Sequence, residues 1–187
     1  MDRSIQFKCQ RSYKIINTKS ILLAYASRFG STQEVAETIA SILGDAGFEV
    51  DLQPMQEVKS LDRYDAVVLG AAIYNAKWNA VAHQFVSQYQ DALSQLPVVI
   101  FTLGPLSPSD AAKRNSRHQL DSELAKYLWL KPVAVEIFAG KYDPSKPGLN
   151  FFERFLPARD YRNWDAIRAW ANELSAQLQR ARMLQPA

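Results

Sequence analysis

Ile21-Leu22-Leu23-Ala24-Tyr25-Ala26-Ser27-Arg28-Phe29-Gly30-Ser31-Thr32-Gln33-Glu34-Val35-Ala36 decides how this chain is read. It opens as an unbroken apolar run of strand length and passes through a short turn rich in hydroxyls. Val35, Ile39, Ile42, Leu43 and Ala46 then follow at helical spacing. A strand that enters a helix through such a turn aims free backbone N–H groups and the positive end of the helix dipole at one point. That geometry captures a phosphate. Ser27, Ser31 and Thr32 add hydroxyl donors, and Gly30 lets the backbone approach closely. A dinucleotide site needs G-x-G-x-x-G, and only one glycine is here; a triphosphate loop needs a lysine after the second glycine, and none follows Gly30. Two readings remain. The turn holds a single terminal phosphate, such as that of a mononucleotide, or its Ser and Thr cap the helix and bind nothing.

Outward from that stretch, the chain alternates strands and helices. Phe48, Val50 and Leu52 alternate with Glu49, Asp51 and Gln53, the period-two pattern of a half-exposed strand. Gly44 and Gly47 close the helix before it. Residues 54–63 are polar and allow one short helix. Ala66–Ala72 is a continuous apolar strand, followed by a loop over residues 73–79 and a helix with Val81, Phe85, Val86, Tyr89 and Leu93 on its inner face. Pro97–Leu103 is another apolar strand. Its loop, Gly104 to Asp110, ends in a cap from Ser109 or Asp110 before a helix over about 110–128. Val133–Phe138 is a strand interrupted by Glu136. Residues 139–162 read as irregular, and a last helix packs Trp164, Ile167, Ala171, Leu174 and Leu178.

Five strands alternating with helices predict an α/β fold, a three-layer sandwich around a parallel sheet. Strands that are apolar throughout belong inside such a sheet, and the two that carry charge belong at its edges. That arrangement matches the order 2-1-3-4-5, in which ligands bind outside the carboxyl ends of strands 1 and 3. The turn after strand 1, the loop after strand 3 with Ala72, Tyr74, Asn75, Ala76, Lys77 and Trp78, and the loop after strand 4 with Leu103, Gly104, Pro105 and Leu106 converge there. A phosphate pocket beside aromatic side chains fits a flat heterocycle on a phosphorylated chain, although Tyr74 and Trp78 can equally pack on neighbouring helices. A phosphorelay receiver shares the strand order. It needs an aspartate at the end of strand 3, where this chain has Gly70-Ala71-Ala72, so that reading fails.

Length and composition set further bounds. The 187 residues fit one domain. No apolar run approaches the ~20 residues of a membrane span. The opening residues lack a signal-peptide core, which predicts a cytoplasmic protein. The single cysteine, Cys9, makes no internal disulfide and sits in no reactive motif. Residues 1–19 carry a net +4, while the whole chain carries +3, so residues 20–187 are near neutral at −1. The basic segment 1–19 fits a membrane-surface or nucleic-acid-binding arm, but the preferred reading is a poorly ordered extension of a domain over residues 20–180, or sequence upstream of the natural start. Nothing in the remainder points to nucleic acid.

The residues also resemble a known family. Ser27-Arg28-Phe29-Gly30-Ser31-Thr32 resembles the FMN phosphate loop of flavodoxins, Ser/Thr-x-Ser/Thr-Gly-x-Thr, with Phe29 standing where a hydroxyl is usual. The stretch from Asp65 through Trp78 resembles more closely a branch of flavodoxin-domain proteins related to the menaquinone-dependent protoporphyrinogen oxidase. So do Leu103–Leu106, Phe138–Lys141 and Asn163–Trp170. The resemblance spans roughly residues 20–180, through the order and spacing of these motifs. It implies a flavodoxin-like fold and a noncovalent FMN, with residues 27–32 on the phosphate, 72–78 flanking the ring and 103–106 closing its other side. The chain departs after Lys141, where the porphyrinogen oxidase carries a longer insertion associated with membrane and substrate contact.

The resemblance implies an FMN-binding oxidoreductase, quinone-linked or using another small electron partner. An electron carrier docking on redox proteins and a flavin-free binding protein that keeps the fold are the alternatives. Electron-carrier flavodoxins are strongly acidic around the flavin, and the near-neutral domain favours the enzyme. No side chain is assigned a catalytic acid–base role. His83 and His118 lack the spacing of a metal site and read as helix-surface residues. Lys141 and Tyr142 fall at the cofactor end, meeting an acidic substrate or solvent. Phe151, Phe152 and Phe155 fit a lid, a quinone contact or a membrane-surface patch. The simpler reading, which we prefer, is that they cover the end of the sheet.

Overall fold

The computed structural model describes residues 20–74, 76–104, 107, 109–145, 151, 155 and 157–183. The basic extension 1–19 and Phe152 lie outside them. The described chain runs β1 (Ser20–Ala26), α1 (Ser31–Asp45), β2 (Glu49–Pro54), a 3-10 turn at Met55–Glu57, β3 (Ala66–Tyr74), β4 (Lys77–Trp78), α2 (Ala80–Gln88) and α3 (Gln90–Gln95). It continues through β5 (Val98–Leu103), α4 (Asp110–Leu124), β6 (Ala134–Phe138), β7 (Lys141–Tyr142), β8 (Arg159–Asp160) and α5 (Trp164–Met183). The main sheet is ordered β2-β1-β3-β5-β6, all parallel along that path. Counted over the five long strands, this is the expected 2-1-3-4-5.

Strand periodicity divides the core. Ile21, Leu23, Val68, Val99 and Phe101 face α1 and α5, where Val35, Ile39, Leu43, Ile167, Ala171 and Leu174 close over them. Leu22, Val67, Leu69, Val98 and Ile100 point to the opposite face, against Phe85 and Val86 of α2, Leu93 of α3 and Leu120 of α4. Burial on both sides is why these strands are apolar at every position. At the β6 edge, the Glu136 carboxylate accepts from the Ile137 N–H (3.0 Å) and from Lys113 Nζ (2.5 Å). A charged side chain thus occupies an amide that an edge strand otherwise offers to a partner.

Several elements differ from expectation. β3 continues to Tyr74 and folds back on β4, pairing Ile73 with Trp78 and Tyr74 with Lys77, so the expected loop is a tight hairpin. The single helix expected after it is broken at Tyr89 (φ −106°, ψ 26°), whose hydroxyl donates to the Val58 carbonyl at 2.7 Å. α4 stops at Leu124, and Tyr127, beyond its end, places its hydroxyl 2.8 Å from His83 Nδ1. The segment after β6 contains an antiparallel pair, β7 with β8. Phe151 and Phe155, expected to cover the sheet's end, are 70% and 74% exposed and stack edge to face at 4.9 Å. Both lie in the connection between β7 and β8. No helix among the described residues is long and apolar enough to cross a membrane.

Candidate functional site

The turn after β1 is built around Gly30. Its φ of 89° lies in the left-handed region, which residues with a Cβ enter at a cost, and it forms the N-cap of α1. The Ser27 hydroxyl accepts from the Gly30 N–H at 2.9 Å, so this serine holds the turn in shape. Having no side chain, Gly30 offers the first N–H groups of α1 no side-chain acceptor. The contrast within the molecule is clear: Asn79 caps α2 through Val81 N–H (2.9 Å), and Ser109 caps α4 through Ala112 N–H (3.3 Å). Among the described residues the α1 terminus is therefore an open donor array, with the hydroxyls of Ser31 and Thr32 beside it.

That array opens into a cleft of about 280 Å³ at the carboxyl end of the sheet. Arg28, Phe29, Ser31 and Thr32 line it from the first turn, Ala72, Ile73 and Tyr74 from β3, and Leu103 and Gly104 from β5. Three of the expected segments thus meet in one cavity. Arg28 lays its guanidinium over the rings of Phe29 (4.8 Å) and Tyr74 (5.7 Å), joining two of the segments. Gly140, Lys141, Tyr142 and Asp143 form a fourth wall, with Asn79 completing the cleft.

Not every expected residue reaches it. Trp78 is 2% exposed and packs within the core, its indole edge-on to His83 at 5.4 Å. Its Nε1 is buried without a hydrogen-bond partner among the described residues. Ala76, at the hairpin tip with φ 60°, lines a separate recess with Gly104 and Ser116. Asn75, Pro105 and Leu106 lie outside the described residues. A larger groove, about 440 Å³, runs along β6 between α4 and α5 past Glu136, Phe138 and Trp170. It includes none of the expected site residues and no open helix terminus, so the smaller cleft is the candidate.

An ionic network backs the cleft. Arg162, its side chain 3% exposed, donates from Nε and Nη2 to the two oxygens of Asp160 (2.9 and 2.6 Å) and from Nη1 to Glu34 Oε2 (2.7 Å). It also lies 4.6 Å over the Trp164 ring. Lys141 Nζ donates to Glu34 Oε1 at 3.3 Å. The network ties the β7–β8 pair to the first turn of α1. Burial pushes the Glu34 carboxyl up, but hydrogen bonds and charge from Arg162 and Lys141 hold it below its ordinary value. The Arg162 hydrogen bond likewise holds Asp160 low against the upward pull of burial. Sequence reading passed over Glu34, Asp160 and Arg162. The only local signal was Asp160-x-Arg162, two positions apart and so on one side of an extended segment.

A second polar group lies behind the hairpin. His83, expected on a helix surface, is half-buried, with Nε2 2.6 Å from Glu123 and Nδ1 against Tyr127. It fastens α2 to the end of α4. Among the described residues no cluster of three or more His, Cys, Asp or Glu is placed to hold a metal ion.

Comparison with known proteins sets this geometry in context. A family model described as a flavodoxin domain matches residues 22–157. The chain is 26% identical over 141 residues to the protoporphyrinogen IX dehydrogenase (quinone) of Escherichia coli strain K12, across 72% of this chain and 75% of that protein. It is 26% identical over 175 residues to the Leishmania major protein of the same name, across 83% and 74%. Among solved structures, oxidised Flavodoxin 2 from Bacillus cereus superposes with a TM-score of 0.56 at 18% identity, covering 87% of this chain and 99% of that one. A flavodoxin from the domain Archaea gives 0.54 at 13%, covering 86% and 99%. At these identities the structures speak to the fold alone.

Proposed function

The chain belongs to the flavodoxin domain family, and from that premise we propose that it is an FMN-dependent oxidoreductase using a quinone as its electron partner. One observation carries the proposal: an uncapped helix terminus, two hydroxyl side chains and aromatic rings from separate segments share a single cleft. The parts fit the cofactor's parts. The first N–H groups of α1 with Ser31 and Thr32 suit a terminal phosphate. Phe29, Tyr74 and the Leu103–Gly104 backbone suit the flanks of a flat ring, and we assign Asn75, Pro105 and Leu106 to the same role from their place in the chain. Ser27 shapes the turn, and Ala72 lets the ring approach β3. Ala76 and Trp78 act behind the cleft, supporting the hairpin that presents Tyr74.

When bound, FMN supplies the electron or hydride exchange. The chain binds it, orients it and sets the field around it. Arg28 and Lys141 stand in the cleft lining against one carboxylate, Asp143, so the cleft lacks the acidic flavin surround of an electron carrier, which supports the enzyme reading. The quinone rests on the printed name of the 26% identical relatives. To test the function, FMN-loaded protein is supplied with protoporphyrinogen IX or a chemical reductant under anaerobic conditions, and reduction of a soluble naphthoquinone is followed. Turnover of the quinone supports the proposal. Electron exchange only with a reductase protein, and none with quinone, would point instead to a carrier.

A further inference from the structure

Lys141 stands between two partners. Its side chain lines the cleft beside Ser31 and Thr32, yet its Nζ rests 3.3 Å from Glu34 Oε1. Glu34 is also held by Arg162, and the two contacts are unequal. The arginine contact is short, at 2.7 Å, and its guanidinium is buried, clamped by both oxygens of Asp160 and stacked on Trp164. The lysine contact is longer, and the side chain behind it is flexible and 30% exposed.

We propose that Lys141 selects for a phosphate in this cleft, exchanging its contact with Glu34 for one with the phosphate while Arg162 keeps Glu34 paired. The inference rests on the cleft being the FMN site and adds to it a basis for preferring FMN over riboflavin. Charge arithmetic supports the exchange. Asp160, Glu34, Arg162 and Lys141 sum to zero without ligand, as do Arg28 and Asp143, the other charged residues of the lining. A phosphate carries more charge than a carboxylate, and the open terminus of α1 already favours an anion there, so it competes well for the lysine. Glu34 sits in the first turn of α1 and, left unpaired, would repel the same phosphate. Arg162 prevents that when Lys141 moves. Arg162 is thus a positioning residue, and Lys141 the group that meets the ligand.

The test measures dissociation constants for FMN and for riboflavin, by quenching of flavin fluorescence at low ionic strength. It compares the wild-type chain with Lys141→Gln, Glu34→Gln and the double variant. Lys141→Gln is expected to weaken FMN about tenfold, the scale of one charge-assisted contact at a partly exposed site, with riboflavin unchanged. Glu34→Gln is expected to tighten FMN, because the lysine is no longer held back, and that gain should shrink when Lys141 is also Gln. Equal effects on both flavins, or unchanged FMN binding in Lys141→Gln, would overturn the inference and leave the FMN site standing. A wild-type chain that binds neither flavin would remove both together. Riboflavin binding in each variant also reports an intact ring site, so a misfolded variant is recognised as such.

Discussion

Replacing Gly70 by alanine probes the packing that holds the cleft's floor in place. Gly70 lies on β3, in register with Phe101 on β5. A Cβ at this position would stand 2.1 Å from Phe101 Cζ and 2.5 Å from Cε1. Carbon atoms pack at about 3.5–4.0 Å, so the ring would have to retreat by more than about 1 Å. It has nowhere to go. Phe101 is fully buried, with the rings of Phe138 and Trp170 each 6.4 Å away and α5 packed over that face. Gly70→Ala is therefore expected to cost about 3 kcal/mol, the upper part of the range for overpacking a core. In a chain of this size that lowers Tm by roughly 6–12 °C. Urea and thermal unfolding followed by circular dichroism would measure it. Phe101→Leu, which shortens the clashing ring, should recover part of the loss in the double variant, so the two effects should not add. A Gly70→Ala variant within about 0.5 kcal/mol of wild type, or a double variant whose loss equals the sum of the singles, would refute the reasoning.

Arg162→Met should destabilise the chain by about 2 kcal/mol, less than a fully buried pair because the Glu34 and Asp160 side chains are 43% and 41% exposed. Both carboxyls are held low in the folded state, so their stabilisation is present above about pH 4.5 and lost as the pH falls through their lowered values. The variant should accordingly show a shallower loss of stability on acidification, and an unchanged acid limb in denaturant titrations would count against the network. Gly30→Ala should cost about 1–2 kcal/mol through its left-handed backbone alone, since the added Cβ meets nothing within 4 Å. It should also weaken FMN, while Gly30→Asn, which tolerates that conformation, should lose less in both unfolding and FMN titration.

How far the sequence could be read depended on the range of the interactions involved. The β1–turn–α1 unit was legible because its signals are local: a continuous apolar strand, a hydroxyl-rich turn and a helical stripe. The edge strands were legible because Asp51 and Glu136 cannot sit in the sheet's interior. The hairpin was missed because β4 is two residues long, too short to show a period. In it Tyr74 pairs with Lys77 and Ile73 with Trp78, so the two aromatics fall on opposite faces, and only Tyr74 reaches the cleft. Arg162 and Glu34 are 128 residues apart, and His83 meets Glu123 and Tyr127 across 40 and 44. Pairs of that separation leave no trace in local pattern. The aromatic pair Phe151 and Phe155 shows the converse: hydrophobic character argues for burial, but both rings, in the connection between β7 and β8, are exposed and meet each other.

The central claim is that the cleft holds FMN, and the visible absorption spectrum of the purified chain, taken before and after adding FMN, tests it most directly. The account predicts flavin bands that shift on the protein, travel with it through gel filtration at about one per chain, and are released as free FMN on denaturation. A colourless protein from which added FMN separates with an unperturbed spectrum would contradict it.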